Sequence, residues 1–326
     1  MKLNSARFLK LEFDTLIYFI VLVGIQFNSK WKQHGITVAG GNGRGNQTNQ
    51  LNRPQGIFID KDKTIYIADN FNSRIIQWKY GETINGESII GEHGKGLRMD
   101  QLYSPVDIIV NKTSDILIIA DDANRRVMQW SIQNKSYNQN LISDIDCWGV
   151  IIDKDESIYV SSRKNHEVKR WKKGEKQGEI VAGGNGQGTG LNQLDGPTFI
   201  FVDGNYSIYI SDEKNHRVVK WTKGATKGII VAGTDEYGDS LGKLSYPEGL
   251  FVDRWGRIYV ADFNNHRIMR WKEGDTEGEI IVGGNGYGDE LNQLGHPTGL
   301  AFDMDGNLYV ADKINDRVQK FEIYIE

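Results

Sequence analysis

Short apolar runs alternate with glycine-rich and charged segments along most of the chain. Within residues 249–284, the runs GLFVD (249–253), RIYVAD (257–262), HRIMRW (266–271) and EIIVGG (279–284) are separated by RWG, FNN and KEGDTEG. Short runs rich in Val, Ile and aromatic residues, bounded by turn-forming residues, are typical of β-strands. The segment therefore predicts four strands in meander order, which we call a, b, c and d.

The same pattern recurs six times along the sequence. The aromatic residues that end strand c are separated by 52, 41, 50, 50 and 50 residues, and they are Trp78, Trp130, Trp171, Trp221, Trp271 and Phe321. A regular period of this length indicates a repeated supersecondary unit, and a four-stranded meander is the blade of a β-propeller. We therefore expect an all-β fold, a six-bladed β-propeller with four-stranded blades.

The strand segments at the two ends of the chain complement each other. Complete a-b-c sets begin near Pro54, Pro105, Cys147, Pro197, Pro247 and Pro297, and d-type runs occur at 36–41, 88–93, 140–143, 179–184, 229–234 and 279–284. The first d-type run precedes every a-b-c set, and the last a-b-c set has no d-type run after it. We expect the N-terminal strand to complete the C-terminal blade, which removes an open strand edge.

The first 30 residues differ from the repeats. Lys2, Arg7 and Lys10 precede the apolar run 16–27, which has the length of a signal-peptide core and is shorter than the ~20 residues needed to span a membrane. We interpret residues 1–30 as an export signal or an uncleaved membrane anchor, with a buried first strand as a third alternative, and residues 31–326 as the propeller. Both leading interpretations predict a secreted or extracellular propeller.

Composition narrows the possible classes of function. The 326 residues include 38 glycines and five prolines, which indicates a folded chain rich in turns, and the net charge of -4 gives no overall positive field for nucleic acid or an anionic membrane. The single cysteine, Cys147, excludes an intrachain disulfide and a cysteine zinc cluster. Four sequons are candidates for glycosylation: Asn46, Asn111, Asn134 and Asn205.

The segment between strands b and c holds the most constant residues of the repeat. Residues 261–271 read ADFNNHRIMRW, and variants occur at 67–78, 120–130, 161–171, 211–221 and 311–321. This Asp-x-x-Asn-His-Arg core resembles the NHL repeat, so that the chain from residue 36 onward resembles a six-bladed NHL-repeat propeller. In the third copy Ser162 replaces the Asp and Glu167 replaces the Arg. We interpret the Asp and Arg of the other copies as an exposed ion pair that holds the turn.

The resemblance also raises the question of enzymatic activity. Lyases of peptidyl-hydroxyglycine on a similar propeller hold zinc with three histidines, two of which follow the proline that opens strand a. The residues at that position here include no histidine and are Gln55, Val106, Trp148, Thr198, Glu248 and Thr298. We expect His166, His216 and His266, in successive b-to-c turns, to lie too far apart to share an ion. We therefore predict no catalytic residue, metal or cofactor, with a metal-dependent lyase or hydrolase as the enzymatic alternative.

Alternating strand direction predicts that the d-to-a loops and the b-to-c turns emerge on one face of the ring. We expect the six residues at this second position of strand a to form an apolar centre there, with Trp148 as the best candidate for an anchor. Around this centre lie the binding-face candidates Phe71, Arg163, Lys164, Lys214, Phe263 and Ile314. An apolar centre with a charged rim is typical of a surface that binds a protein or peptide.

The sequence thus predicts an exported, non-enzymatic binding or scaffold module, a monomeric propeller that recognises a protein or peptide partner through one face. Membrane contact is expected only through the N-terminal segment. The resemblance leaves a second alternative, an intracellular RNA-binding or ubiquitin-ligase-associated NHL module. Binding to nucleic acid is disfavoured because basic turn residues such as Lys214 alternate with acidic ones such as Asp122.

Overall fold

The computed structural model describes residues 25–26, 28–82, 84–111 and 115–325. Two strands, β1 (Ser29–Trp31) and β2 (Ile36–Gly40), come before the first complete blade, and β26 (Ile323–Ile325) follows the last one. The helices of this described part are single 3-10 turns at Asn70–Asn72, Asp122–Asn124, Glu213–Asn215 and Phe263–Asn265. No helix found among these residues is long and apolar enough to cross a membrane.

The remaining strands form six blades, in each of which four antiparallel strands lie in the order a, b, c, d from the axis outward. Blades 1 to 3 comprise β3 (Pro54–Ile59), β4 (Ile65–Asp69), β5 (Arg74–Trp78), β6 (Glu87–Ile90); β7 (Pro105–Asn111), β8 (Ile116–Asp121), β9 (Arg126–Ser131), β10 (Ser136–Ser143); and β11 (Val150–Ile152), β12 (Ile158–Ser162), β13 (Glu167–Trp171), β14 (Glu179–Gly183). Blades 4 to 6 comprise β15 (Pro197–Val202), β16 (Ile208–Asp212), β17 (Arg217–Trp221), β18 (Ile229–Gly233); β19 (Pro247–Val252), β20 (Ile258–Asp262), β21 (Arg267–Trp271), β22 (Glu279–Gly283); and β23 (Pro297–Phe302), β24 (Leu308–Asp312), β25 (Arg317–Phe321) with β2. The prediction of an all-β propeller with six four-stranded blades is confirmed.

The six a strands surround the axis, and each contacts the a strands of both neighbouring blades. Glycine makes this close approach possible. A Cβ atom on Gly249 would lie 2.3 Å from the carbonyl oxygen of Thr298, and one on Gly299 would lie 2.5 Å from that of Gln55. The glycine near the start of strand a therefore sets the distance between neighbouring blades at the centre of the ring.

The hydrophobic core is divided into six clusters, and each lies between two successive blades. In the cluster between blades 4 and 5, Tyr209 and Val218 pack with Val252, Ile258 and Trp271. The equivalent clusters follow around the ring, including one between blade 6 and blade 1. Because each blade has apolar residues on both surfaces, its strands alternate little between buried and exposed positions.

Strands from the two ends of the chain meet in blade 6. Strand β2 pairs antiparallel with β25, with Ile36 opposite Lys320 and Gly40 opposite Arg317. A second contact between the ends is the pairing of β1 with β26, which begins with Ser29 opposite Ile325. The outermost strand of the C-terminal blade is thus supplied by the N-terminal part of the chain.

Among the described residues, packing on the propeller includes Ile25, which precedes the boundary predicted at residue 31. Ile25 and Trp31 are buried in the cluster that contains Tyr259 and Phe302. The indole Nε1 of Trp31 donates a hydrogen bond of 2.9 Å to the carbonyl oxygen of Gly306. The export-signal or anchor segment predicted within residues 1–30 otherwise lies outside the described residues, which leave out residues 1–24 and residue 27.

Candidate functional site

The conserved Asp and Arg of the repeat form a buried clamp on the d-to-a loop. In blade 4, Arg217 Nε lies 2.8 Å from Asp212 Oδ2, and both side chains are buried. The other carboxylate oxygen of Asp212 accepts the backbone N–H of Asp195 at 2.6 Å. Arg217 also donates to the carbonyl oxygens of Thr189, Gly190 and Gln193 in the preceding loop. The prediction of an exposed pair is wrong, because the guanidinium satisfies loop carbonyls that are shielded from water.

Blade 3 lacks both the Asp and the Arg of the clamp, and its structure explains why. Its strand a follows a short link from blade 2 instead of a long glycine-rich loop, so there are no loop carbonyls for an arginine to bind. Ser162 Oγ instead donates to Asp146 Oδ2 at 3.1 Å, and Glu167 pairs with Lys169 at 3.0 Å. Cys147, which lies in this link, is buried in the core between blades 2 and 3.

The turn histidines join successive blades. The Nδ1 atom of His216 accepts the backbone N–H of Tyr246 at 3.2 Å, and that of His266 accepts the N–H of His296 at 3.3 Å. Burial lowers the pKa of both His216 and His266, which favours the neutral form that can accept these bonds. Within the described part of the chain, no group of three His, Cys, Asp or Glu residues is arranged to hold a metal ion.

Five of the six residues predicted at the centre of the binding face are buried. They are Gln55, Val106, Thr198, Glu248 and Thr298, while Trp148 is half-buried. The centre is therefore polar beneath its surface, and the prediction of an apolar centre is wrong. The cause is the close approach of neighbouring a strands, since Thr198 Oγ1 donates to the carbonyl oxygen of Pro247 and Thr298 Oγ1 to that of Pro54.

The turn candidates lie nearer to solvent. Phe71 is 58% exposed, and Lys164 and Lys214 are also exposed. Arg163, Phe263 and Ile314 are half-buried. These side chains emerge with the d-to-a loops on one face of the ring, which we call the turn face. We call the opposite face, which carries the a-to-b hairpins and the c-to-d segments, the hairpin face.

Three basic groups on the turn face each lie over an aromatic ring. The guanidinium carbon of Arg53 is 4.8 Å from the ring centre of Phe71. Arg163 lies 4.1 Å above Trp148, and Lys313 Nζ lies 5.3 Å from the ring centre of Phe263. Such contacts hold a cation over the face of the ring and leave some of its N–H donors free.

Arg53 and Lys313 were missed as binding-face candidates. The pattern does hold a signal for them, since Arg53 directly precedes the proline of strand a in blade 1, and Lys313 directly follows the repeat Asp in blade 6. These two positions lie at the inner edge of the turn face. The equivalent residue to Lys313 in blade 3 is Arg163, which the sequence did single out.

The charges near the axis influence one another. Burial, followed by the charge of Glu213, raises the pKa of Glu248 to about 7, while Lys313 and Arg163 oppose the rise. Burial lowers the pKa of Lys313, the charge of Glu248 opposes this effect, and the positive charges of Arg53 and Arg163 lower the pKa further. Side chains from blades 1, 3, 4, 5 and 6 therefore share one electrostatic environment at the axis.

The described hydrogen bonds leave several of these groups unsatisfied. Gln55 Oε1 and Arg53 Nε are buried atoms without a hydrogen-bond partner among the described residues, and Glu248 Oε2 and Trp148 Nε1, whose side chains face each other, lack a bond of good geometry. An unsatisfied buried polar atom costs about 1–3 kcal/mol, so native proteins contain few of them. Their concentration at one end of the axis marks this place as a site where another molecule can supply the missing bonds.

Comparison with known proteins identifies the class of protein. The family model described as NHL repeat matches residues 244–270 and 294–321, which contain strands a to c of blades 5 and 6. The chain therefore contains NHL repeats in blades 5 and 6 and has the architecture of a six-bladed β-propeller. No curated protein matches the sequence.

Solved structures show the same architecture at low sequence identity. An auxiliary nutrient binding protein from Bacteroides thetaiotaomicron VPI-5482 is 16% identical, with 90% of this chain and 77% of that chain covered and a TM-score of 0.69. Virginiamycin B lyase from Staphylococcus aureus, in a structure with quinupristin, is 12% identical, with 90% and 99% covered and a TM-score of 0.58. A chain of a nidogen/laminin complex is 15% identical, with 70% and 79% covered and a TM-score of 0.55. At such identities the similarity establishes the fold alone.

Proposed function

We propose that the protein is an exported, non-enzymatic binding module that recognises a protein or peptide partner through its turn face. The observation that carries the proposal is a constant framework with variable side chains. In all six b-to-c turns the residue before strand c has a positive φ between 50° and 55°, and these residues are Ser73, Arg125, His166, His216, His266 and Asp316. The backbone of the turn is therefore the same in every blade.

The exposed positions on this framework differ from blade to blade. The second residue after the repeat Asp or Ser is Phe71, Ala123, Lys164, Lys214, Asn264 or Ile314. The buried clamp that positions these side chains is repeated in five blades. Loops that vary on a rigid scaffold are where binding residues concentrate, and mixed aromatic and charged groups are typical of protein interfaces.

The attachment of the N-terminal segment leaves the turn face open. Trp31 binds the carbonyl oxygen of Gly306 in an a-to-b hairpin, and Arg257 Nη2 donates to the carbonyl oxygen of Gln26. Both contacts lie on the hairpin face. An export signal or anchor before Ile25 would therefore join the propeller on the side opposite to the proposed partner.

The candidate glycosylation sites support the same orientation. Asn134 lies in the c-to-d segment of blade 2 and Asn205 in the a-to-b hairpin of blade 4, and both are exposed on the hairpin face. Asn111 ends strand a of blade 2, also on that side, and Asn46 lies in a d-to-a loop. Glycans on the first three would leave most of the turn face accessible.

Two of the structurally similar proteins bear names that agree with a binding role. One is called an auxiliary nutrient binding protein, and another is part of a nidogen/laminin complex. These names describe those proteins, and they support the proposal only by showing that this architecture serves recognition. The lyase name of a third protein describes an activity for which we find no corresponding histidine arrangement among the described residues of this chain.

The proposal can be tested by capturing partners with the intact, secreted propeller and comparing variants of the two faces. The test variant combines Phe71→Ala with Lys164→Glu and Lys214→Glu, which change exposed side chains outside the buried clamp. The matched control combines Lys79→Glu with Lys172→Glu on the hairpin face, where both lysines are exposed. We expect the turn-face variant to lose at least about tenfold in affinity and to keep its melting temperature. Unchanged binding with this variant, together with loss in the control, would show that the partner uses the hairpin face.

A further inference from the structure

We propose that the axial mouth of the turn face, lined by Arg53, Arg163 and Lys313, is a carboxylate-binding site. This inference rests on the proposed function and deepens it, because it states which chemical group the partner presents. The three basic residues come from blades 1, 3 and 6, and the ring brings them to the axis from three directions. Each is held against an aromatic ring, namely Phe71, Trp148 and Phe263.

Two of the three cations form no salt bridge among the described residues, although the charge of Glu248 attracts Lys313. Arg163 pairs with Glu213, whereas neither Arg53 nor Lys313 forms a salt bridge with a described acidic side chain. Arg53 Nε is in addition buried without a hydrogen-bond partner. The positive charges of Arg53 and Arg163 lower the pKa of Lys313, so the three side chains lie close to one another. The mouth therefore has an excess of positive charge that an added anion would relieve.

The acidic groups of the mouth balance this excess only in part, since Glu248 attracts Lys313 but its pKa of about 7 leaves it partly protonated near neutral pH. Glu213 is occupied by Arg163. Asp146 accepts hydrogen bonds from Ser162 Oγ and from the backbone N–H of Lys164. Burial and the charge of Asp146 raise the pKa of Asp122 to about 6. The local excess of positive charge arises in a protein whose overall net charge is -4, so it is a property of this site alone.

A carboxylate would satisfy the unpartnered donors. It accepts hydrogen bonds only, and charge-assisted bonds from guanidinium and ammonium groups are stronger than neutral ones. Arg53 Nε is a buried donor without a partner, and Lys313 Nζ supplies a second, while the indole of Trp148 faces Glu248. Glu248 lies beneath them, and in its protonated form it is a third donor. A cationic ligand would instead meet three positive groups.

The same arrangement predicts how pH acts on binding. The groups that face Glu248 are Glu213, Lys313, Arg163 and the indole of Trp148. A bound carboxylate adds a second negative charge near Glu248, which raises its pKa above the value of about 7 in the free protein. Binding therefore takes up a proton near neutral pH, and affinity falls as the pH rises above that range. A bound cation would have the opposite effect and release a proton.

The experiment uses the full chain and three acetylated pentapeptide probes. The first has a central Glu and an amidated C-terminus, the second has Gln in place of the Glu, and the third has a central Ala and a free C-terminal carboxylate. Isothermal titration in buffers of different ionisation enthalpy gives both affinity and proton uptake. We expect one or both carboxylate probes to bind at least about tenfold more tightly than the Gln probe, and their comparison separates a side-chain carboxylate from a chain terminus.

Variants of the residues at the mouth test whether the carboxylate probes bind there. Lys313→Met and Arg53→Met remove a charge and keep an apolar stem, and we expect each to weaken the better carboxylate probe by about tenfold or more. Glu248→Gln removes one titrating group, so that binding should persist with reduced proton uptake, the remainder coming from Lys313. Lys227→Met is the control, since Lys227 is an exposed residue on the hairpin face. Melting temperatures verify that each variant is folded.

Three results would overturn the inference. They are binding of the Gln probe as tight as that of both carboxylate probes, proton release on binding, and full retention of carboxylate binding in both folded variants Lys313→Met and Arg53→Met. Failure of all the probes to bind would also reject a carboxylate site. The proposed function would stand in each of these cases if changes at Phe71, Lys164 and Lys214 still weakened a captured partner. Loss of the proposed function would instead appear as a partner that binds the hairpin face.

Discussion

The backbone N–H of Val150 donates a hydrogen bond of 2.9 Å to Oδ2 of Asp107, and this bond joins the a strands of blades 2 and 3. The other carboxylate oxygen of Asp107 accepts the N–H of Ile108 at 2.9 Å. Asp107 stands where four other blades have a glycine, such as Gly249. Blade 3 has the shortest a strand, Val150–Ile152. The carboxylate of Asp107 links this strand to blade 2.

Asp107 makes the stability of the ring depend on pH. Burial raises its pKa in the folded protein to about 7, above its ordinary value of 3.8. Because the folded pKa is the higher one, the stability that protonation provides is complete below 3.8 and is lost as the pH rises through about 7. Relative to Asp107→Asn, the wild type should lose on the order of 1 kcal/mol per pH unit within this window. Urea unfolding of both proteins across the window measures the difference, and parallel curves would contradict it.

The buried clamp predicts a large effect of changing Arg217. Arg217→Met leaves the carboxylate of Asp212 and three loop carbonyls without their donor, and removing one partner of a buried pair costs about 3–5 kcal/mol. Denaturant unfolding measures the loss. Arg98→Met is the matched control, because Arg98 pairs with Asp100 on an exposed loop, and its melting temperature should not change.

Blade 3 provides a second test of the clamp. Glu167 occupies the position of Arg217, and blade 3 has no long loop for an arginine to bind. Glu167→Arg should therefore give no gain in stability, even though it restores the repeat sequence. A clear increase in melting temperature would show that the arginine acts through the turn itself.

The N-terminal segment should contribute to the stability of blade 6. Trp31 is 1% exposed, and Trp→Ala changes in cores cost about 3–5 kcal/mol. We expect Trp31→Ala, or deletion of residues 1–31, to lower the melting temperature by several degrees or more, whereas deletion of residues 1–24 should not. Equal melting temperatures for the two deletions would show that the packing of Ile25 and Trp31 adds nothing to stability.

Chelation should leave the protein unchanged. The turn histidines accept backbone N–H groups with Nδ1, as His216 does from Tyr246, so their role is explained without an ion. We expect a chelator to have no effect on the melting temperature, and metal analysis of the purified protein to find no stoichiometric zinc. One zinc per chain, with loss of stability on its removal, would direct attention to His166, His216 and His266.

The repeat pattern predicted most of the fold because the information it carries is local. Each of the five prolines begins an a strand, from Pro54 to Pro297, and the turn residues separate strands of uniform length. Counting these units was enough to predict six blades. The start of blade 3 was placed less well, at Cys147 instead of Val150, because no proline marks it and the link before it has a different length.

The candidate site could be predicted only in part. The pattern indicated which residues face the turn side, including Phe71 and Lys164, since strand direction alternates along the chain. It did not indicate that Glu248 and Gln55 are buried, because burial depends on how closely six a strands approach one another around the axis. The same reason explains why the Asp and Arg of the clamp were expected to be exposed.

By itself, the sequence determined the strands, their order within a blade and the number of blades, because hydrophobic periodicity and turn chemistry act over a few residues at a time. Only the tertiary structure decided that Arg53, Arg163 and Lys313 meet at one mouth. They are separated by 110 and 150 positions in the chain, and no local preference links them. Closure of the ring brings them together, because it fixes the distances between side chains on different blades. These distances do not depend on how far apart the residues lie in the sequence.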